Sequence, residues 1–391
     1  MAYKIKIIRA TTIPRSLNVF CKGMLHELAH DYDVIGVSSP GEELEEVAKR
    51  EGVKVIAVPM ERHISPLRDL KSLFSMCRVF RAEKPQLVHS MTPKAGLICM
   101  VAAWLTRVPL RVHTFTGLVF PTAKGLNKKI LMASDWLICR CATHIIPEGE
   151  GVKNDLLNNG ITKKNLQVLG YGNVRGVDLE YYSRRKEVIG KLDELKIRNQ
   201  DLFTFFFVGR IVKDKGINEL VDAFVALHKK YSQTRLWLAG AYEDALDPIS
   251  DKARKEIAEN EAILALGRKM DTELLAYYAA ADCFVFPSYR EGFPNTVLEA
   301  GAMGLPSIVT DINGSREIIS DGYNGLVIPP RNTDALLEAM KAMIENGDAR
   351  KSMASVARKV IASKFEQGFV RSCLYNYYKQ IISDNKKCYT K

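Results

Sequence analysis

Arg290-Glu291-Gly292-Phe293-Pro294-Asn295-Thr296-Val297-Leu298-Glu299-Ala300-Gly301-Ala302-Met303-Gly304-Leu305-Pro306 follows the apolar run Asp282-Cys283-Phe284-Val285-Phe286-Pro287. The run reads as a buried strand, and Pro287-Ser288-Tyr289 as the turn that leaves it. Beyond the turn, Asn295 or Thr296 is placed to cap a helix whose Val297, Leu298, Ala300 and Gly301 face a sheet, with Gly304-Leu305-Pro306 as its stop signal. This order puts the backbone N–H groups of Gly292 through Thr296 at a strand end, where helix-start donors suit an anion or sugar hydroxyls. Each such interaction is worth about 0.3–1 kcal/mol when exposed and up to about 2 when partly buried, so a phosphate needs cations as well. Glu291 falls in the turn and Glu299 about one helical turn inside. Two carboxylates so placed accept hydrogen bonds from vicinal hydroxyls, although the spacing alone equally fits a helix-start acid and a solvated helix residue.

Outward from this stretch, apolar runs alternate with helical patterns, the signature of α/β domains built on parallel sheets. The first half reads as strands at 4–9, 33–38, 53–58, 86–90, 110–115, 143–146 and 166–169, with helices at 19–30, 42–51, 66–83, 94–106 and 124–140. A glycine-rich stretch from Gly170 to Asp178 is the best linker candidate. The pattern restarts with strands at 203–208, 235–239 and 262–266 and helices at 216–230, 248–259 and 272–280, and a last helical stretch covers 366–382. Two doubly wound, Rossmann-like domains are expected, 1–175 and 176–365, with ligands outside the carboxyl ends of the strands in a cleft that the domains face across.

A second glycine-bearing strand exit, Phe205-Phe206-Phe207-Val208-Gly209-Arg210-Ile211-Val212-Lys213-Asp214-Lys215-Gly216, precedes the opening stretch. Gly209 lets backbone approach a ligand, Arg210 can fork onto phosphate oxygens and Lys215 adds a point charge. Together Glu291-x7-Glu299 and Gly209-Arg210-x4-Lys215-Gly216 closely resemble the E-x7-E motif and the donor-phosphate loop of the retaining glycosyltransferases of family 4. Members of that family occur in bacterial capsule and O-antigen biosynthesis and have the GT-B fold, so the resemblance implies that fold here, with the terminal segment 366–391 completing the first domain. It also implies that Glu291 and the backbone from Gly292 through Phe293, Pro294, Asn295 and Thr296 hold the donor sugar, Glu299 the nucleotide ribose, and Arg210 and Lys215 the diphosphate. Gly267-Arg268 falls where family members contact the base, mainly through backbone.

In the first domain the family resemblance is looser. Thr11-Thr12-Ile13-Pro14-Arg15-Ser16-Leu17 stands where many relatives carry a Gly-Gly turn; Ser16 is a candidate for the ligand edge, and a plain capped turn fits equally. His89 and Arg111-Val112-His113-Thr114-Phe115-Thr116-Gly117 also sit near strand ends. The family usually has a histidine immediately before this glycine; here Thr116 holds the position and His113 lies three residues earlier. The expectation is that His113 assists catalysis or that no histidine does, with His89, Thr116 and Gly117 at the acceptor or first-domain edge; a lone strand-end histidine also fits a satisfied core or rim residue.

Composition bounds the rest. With 391 residues, 47% hydrophobic and 26% charged, the chain belongs with soluble globular proteins of two or three domains. No leader is legible before the first strand, and the longest apolar run, Ala95 to Leu105, is about half the roughly 20 residues of a spanning helix. Eight scattered cysteines without ligand spacing read as reduced thiols of a cytoplasmic protein. No acidic pair at a strand end argues for a metal, Asp31-Tyr32-Asp33 reading as a helix end, so no metal or cofactor is expected.

The net charge of +11 is uneven: residues 1–175 carry 25 Lys and Arg against 15 Asp and Glu, and the remainder 31 against 30. Between Arg62 and Arg140, 13 basic residues meet three acids among apolar residues such as Leu67, Phe74, Trp104 and Trp136. Such a surface fits a peripheral position on the inner face of the cytoplasmic membrane, and equally a solvated basic face. No nucleic-acid-binding signature accompanies the charge.

The expected activity is metal-independent, retaining transfer of a hexosyl-type sugar from a nucleoside diphosphate, UDP or GDP, to a hydroxyl of a polyprenyl-diphosphate-linked saccharide. A UDP-N-acetylglucosamine 2-epimerase-like enzyme shares the architecture but needs carboxylates and a histidine placed for proton transfer. A non-catalytic membrane scaffold is the other alternative; the presence of both cations and both motif carboxylates argues against it.

Overall fold

The computed structural model describes residues 4–61, 65–199, 201–245 and 247–389, without the side chains of 386–389. Arg62, Cys388 as a side chain, and the last two residues of the expected 366–391 segment therefore lie outside the described residues. The chain forms two compact units, Met1–Gly176 with Gly368–Lys391, and Val177–Gln367.

The first unit runs β1 (Lys6–Ala10), α1 (Pro14–Phe20), α2 (Met24–Ala29), β2 (Asp33–Ser38), α3 (Glu42–Glu51) and β3 (Lys54–Ala57). It continues with α4 (Pro66–Glu83), β4 (Leu87–Met91), α5 (Pro93–Leu105), β5 (Leu110–Phe115), α6 (Gly125–Cys141), β6 (His144–Pro147) and α7 (Glu150–Asn158). Its six strands pair in parallel in the order β3-β2-β1-β4-β5-β6, so the order reverses between β1 and β4. Each crossover is right-handed in such a sheet, which sends α1–α3 to one face and α4–α6 to the other. Two separate cores result: Leu17, Leu25, Leu44 and Val47 lie on one side, and Met76, Phe80, Ile98 and Ile138 on the other.

The second unit contains α8 (Lys186–Leu195), β7 (Phe203–Val208), α9 (Ile217–His228), β8 (Thr234–Ala239), α10 (Asp251–Glu259), β9 (Ile263–Gly267) and α11 (Asp271–Ala280). Then come β10 (Cys283–Phe286), α12 (Asn295–Ala302), β11 (Ser307–Thr310), α13 (Ser315–Ile318), β12 (Gly325–Ile328), α14 (Thr333–Glu345) and α15 (Gly347–Phe365). The strand order β12-β11-β10-β7-β8-β9 again reverses at its middle, between β7 and β10. Those two strands are the ones that feed the two motif loops. Phe205, Phe206, Phe207 and Phe284 are fully buried, as strands covered on both faces require. The last helix, α16 (Gln367–Tyr389), leaves the second unit and returns to the first, where Leu374, Tyr377, Tyr378 and Ile381 join the core under α1–α3.

Local differences from the sequence reading have local causes. The helix expected at 19–30 is broken in two at Cys21–Gly23, where Gly23 takes φ 74° and caps α2. The strand expected at 166–169 is an extended stretch tied to β6 by one ladder-like bond, Gln167 N to Ile145 O at 3.4 Å. The cap of α12 is Pro294, with Asn295 as the first helical residue, so neither Asn295 nor Thr296 caps it. No helix among the described residues is long and apolar enough to cross a membrane. The seven cysteines with described side chains are free thiols.

Candidate functional site

The loops after β7 and β10 are locked together by backbone contacts that exclude side chains. Gly216 adopts φ 70°, and a Cβ there would stand 2.1 Å from the carbonyl oxygen of Pro287. Only glycine satisfies both conditions. At Gly240 a Cβ would lie 1.7 Å from the carbonyl oxygen of Gly209, so the exits of β7 and β8 also touch through backbone. Tyr289 N donates to Asp214 O at 2.9 Å, and the Arg290 guanidinium pairs with the Asp214 carboxylate at 2.9 Å. Tyr289 Oη donates to Glu219 at 2.6 Å. The two motifs, far apart in sequence, thus share one rigid base.

On this base Lys215 and Glu291 meet in an ion pair, with side chains 14% and 16% exposed. Ser288 Oγ donates to the same Glu291 Oε1 at 2.8 Å, and the Lys215 ammonium stands 5.3 Å over the Phe286 ring. A nearly enclosed pair of this kind needs its second hydrogen bonds, and Ser288 supplies one. Arg210 lies at the exit of β7, pairs with Glu243 at 2.7 Å and is half exposed. A pair so open to water holds its guanidinium by only about 0–1 kcal/mol, so an arriving phosphate can take it.

The backbone from Gly292 to Thr296 is fixed from behind by the loop after β11. Gly314, at φ 74°, is so close that a Cβ would stand 2.5 Å from Gly292 O and 2.7 Å from Phe293 Cα. Phe293 itself is 4% exposed and packs on Phe365 with ring centroids 5.4 Å apart, so its side chain belongs to the core and only its backbone is offered. Glu299 is buried on α12, with Tyr278 Oη 3.4 Å from its Oε2. Arg268 is exposed just beyond β9, and no bond or ion pair joins it to Arg210, Lys215, Glu291 or Glu299 among the described residues. Gly267 before it takes φ 66°.

The first unit places its two strand histidines in the core, the alternative to the ligand edge. β4 and β5 are central strands covered on both faces, and both rings are in the interior rather than at the ligand edge. His113 is 1% exposed; its Nδ1 is 2.8 Å from Ser90 Oγ, and its ring fills the space where a Cβ on Gly96 would stand, 2.4 Å from Cε1. Burial pushes its pKa down to about 3, leaving a neutral ring at ordinary pH.

His89 faces the opposite side. Its Nε2 is 2.7 Å from Thr114 Oγ1, and its Nδ1 meets Tyr378 Oη and Arg9 Nη1. Burial and the Arg9 charge hold it well below the ordinary imidazole value. Ser16 is the third residue of α1, not its cap, which is Ile13. Thr116 and Gly117 are half-buried beyond the end of β5, and Gly117 has φ 121°.

Residues that the sequence reading passed over complete the site. Ser288, noted only as a turn residue, holds Glu291; Tyr278 holds Glu299; Glu243 holds Arg210; and Gly314 pins Gly292. Asn313-Gly314-Ser315 after the apolar run ending at Thr310 carries the same strand-exit glycine signal as Gly209, and is legible by that rule.

Known proteins supply the comparison. The profile of the glycosyl transferases group 1 family matches residues 191–360, and that of the glycosyl transferase 4-like domain matches residues 20–172. The capsular polysaccharide biosynthesis glycosyltransferase CapM of Staphylococcus aureus is 31% identical over 385 residues, covering 97% of this chain and 98% of CapM. The UDP-Gal:alpha-D-GlcNAc-diphosphoundecaprenol alpha-1,3-galactosyltransferase of Escherichia coli is 26% identical over 329 residues, 82% of this chain and 81% of that one. Among solved structures, Anabaena HepE in complex with UDP and glucose superposes with a TM-score of 0.79 at 17% identity, covering 96% of this chain and 100% of HepE.

Proposed function

Since the chain belongs to the group 1 glycosyltransferases, with a glycosyl transferase 4-like first domain and the two-domain GT-B fold, we propose that it transfers a sugar, with retention, from a UDP- or GDP-linked donor to a hydroxyl of a polyprenyl-diphosphate-linked saccharide in cell-surface polysaccharide assembly. The observation that carries the reading is the Lys215–Glu291 pair on the shared base of the β7 and β10 loops, with Arg210 at the same strand exit. The names of the relatives support the lipid-linked acceptor and the polysaccharide context, since CapM is named for capsule biosynthesis and the E. coli enzyme for a diphosphoundecaprenol acceptor.

In this reading the donor diphosphate exchanges the weak Glu243 partner of Arg210 for its own oxygens and takes a share of Lys215. Both cations then face the charge that grows as the sugar leaves, which is where electrostatic stabilisation lowers a barrier. Glu291, still held by Ser288, and the Gly292–Thr296 backbone orient the sugar, while Glu299 holds the ribose. The leaving diphosphate takes the acceptor proton on the same face, so no proton has to pass to His113, whose ring is buried. Two cations do the neutralising that a divalent ion does elsewhere, and the reaction proceeds without a metal. The acceptor saccharide is assigned to the first unit, at the carboxyl edge that carries Ser16, Thr116 and Gly117.

Thermal unfolding with UDP, GDP and their sugar conjugates, in EDTA, tests the donor assignment. One nucleotide family at about one hundred times its Kd should add about 2.7 kcal/mol of stability. Lys215→Ala should abolish the shift, and nucleotide release from the sugar conjugate should require acceptor. Absence of any shift, or an unchanged shift in Lys215→Ala, would overturn the reading; release without acceptor would favour an epimerase-like reaction.

A further inference from the structure

The first strand carries an arginine inside an apolar run, Lys6-Ile7-Ile8-Arg9-Ala10. Strand alternation sends Arg9 to the face of Ile7, which α16 covers, and leaves it 1% exposed. A guanidinium is always charged and presents five N–H donors. Four of them meet a phenol, an imidazole and two sulfurs. Nη1 lies 2.7 Å from Tyr378 Oη and 3.1 Å from His89 Nδ1, and Nη2 lies 3.0 Å from Met91 Sδ and 3.5 Å from Cys21 Sγ. The fifth, on Nε, has no acceptor among the described residues. Burial pushes the Tyr378 pKa up to about 12, and burial with the Arg9 charge holds His89 well below the ordinary imidazole value, so both rings are neutral at ordinary pH.

Arg9 lines a cavity of about 20 Å³ between the first unit's sheet and α16. His89, Thr114 and Asn173 are its other polar walls, and Val174, Val370 and Leu374 help to close it. The hydrogen bonds around it run in one direction. Arg9 Nη1 can only donate, so His89 Nδ1 accepts, and the neutral ring carries its proton on Nε2, which donates to Thr114 Oγ1 at 2.7 Å. The hydroxyl hydrogen of Thr114 therefore turns away from His89, and no group among the described residues accepts it. The acceptors on the wall are already used: His89 Nδ1 and Met91 Sδ by Arg9, and Asn173 Oδ1 by the backbone N–H groups of Arg175 and Gly176 at 3.0 and 2.7 Å.

We infer that this cavity is a binding site for one small monovalent anion of the halide class, which accepts from Arg9 Nε and the Thr114 hydroxyl and supplies the countercharge that Arg9 lacks. Size selects the class, since 20 Å³ exceeds the about 10–15 Å³ that one water needs but does not admit a phosphate or sulfate. A water would have to donate as well as accept, and would leave a full charge uncompensated in the interior. The chain from Arg9 through Tyr378 and His89 to Thr114 is polarised toward the same point, so each bond strengthens the next. The anion would fasten α16, through Val370 and Leu374, and the segment of Leu169 and Val174 to the sheet. The site lies wholly within the first unit and rests on no part of the transfer reading.

Urea unfolding of the full chain tests the site, with sodium gluconate exchanged for sodium chloride or bromide at fixed ionic strength. Halide at about ten times its Kd should lower the unfolding constant about tenfold, and the effect should saturate. Phosphate exchanged in the same way should give no saturable effect. Thr114→Val keeps the guanidinium and removes one donor, and should weaken the halide affinity about tenfold; Arg9→Met should abolish the response. Wild-type crystals in bromide should show an anomalous peak within hydrogen-bonding reach of both Arg9 Nε and Thr114 Oγ1.

Stabilisation of equal size in wild type and Thr114→Val would be a general salt effect and would overturn the inference. A water at the position of the expected peak, without anomalous signal, would overturn it as well. So would a bromide peak with no stabilisation in solution, which would be binding at crystal concentration only. Should Arg9→Met fail to fold, the Thr114→Val comparison and the bromide peak decide the matter without it.

Discussion

His113 shows at the scale of one residue how a side chain near a strand end can lie in the core rather than at the ligand edge. Its place near the end of β5, three residues before Gly117, suggests a ligand edge; the side-chain alternation of a central strand instead turns it into the core, onto Gly96 of α5. Alternation and the glycine are both legible in the sequence, but which helix covers which face is not. Lys215 and Glu291 show the converse. Their motifs are legible, and so is their charge, but their pairing depends on how Gly216 seats against Pro287, a contact between segments about seventy residues apart. Ser288, Tyr278 and Glu243 went unread for the same reason, since a hydrogen-bond partner across loops leaves no spacing to find.

The burial of His113 has a consequence for acid stability. The folded ring, with a pKa of about 3 against 6.5 when free, refuses a proton that the unfolded chain accepts. Its contribution is complete above about pH 6.5 and is lost as pH falls toward 3, at about 1.4 kcal/mol per unit. His89 is shifted in the same direction. Replacing His113 by Gln should therefore spare about 2 kcal/mol of the stability that wild type loses between about pH 6.5 and 5, whatever it costs at neutral pH. Denaturant midpoints at the two pH values give the comparison, and equal losses in both proteins would mean that His113 already titrates normally.

At the scale of the element, the alternation of strands and helices is legible because parallel strands covered on both faces must be near-continuous apolar runs. Short or tilted elements carry less of that signal. The break between α1 and α2 depends on one glycine at positive φ, and 166–169 is apolar enough for a strand but leaves the sheet after one bond. α16 is legible as a helix, while its seat is not, because what receives it is a buried arginine on β1. Arg9 is 1% exposed; its Nη1 donates to Tyr378 Oη at 2.7 Å, and Tyr378 in turn bonds His89.

Among the described residues no carboxylate pairs with that guanidinium, so the phenol oxygen of α16 is a main acceptor, alongside His89 and the sulfurs of Met91 and Cys21. Tyr378→Phe should thus cost about 1–3 kcal/mol by leaving buried donors short of a partner. Arg9→Met removes the donor. The double variant should be more stable than the sum of the two losses predicts, by about 0.5–3 kcal/mol. Chemical denaturation of the four proteins measures it; strict additivity would mean that α16 is seated by its apolar contacts alone.

Over the whole molecule, charge divides with the two units. The residues of the first unit include 30 Lys and Arg against 16 Asp and Glu, whereas those of the second include 26 against 29. Nearly neutral composition around Arg210 and Lys215 means that donor binding draws on a few placed cations, while the first unit acts as a broad positive field. The two respond differently to salt. Raising ionic strength from about 0.1 to about 1 M shortens the screening length from about 10 to about 3 Å, which erases attraction to a charged surface but leaves contact pairs in a part-buried loop largely intact.

Transfer to an acceptor embedded in anionic vesicles should therefore show a KM that rises steeply over that range. Transfer to a short-chain, freely dissolved acceptor should change far less, and the KM for the nucleotide sugar should stay nearly constant in both assays. Steady-state kinetics at four or five salt concentrations separate the cases. A parallel fall in both acceptor assays, with a rising donor KM, would place the salt-sensitive charge at Arg210 and Lys215 and deny the first unit's field a part in bringing enzyme and lipid together.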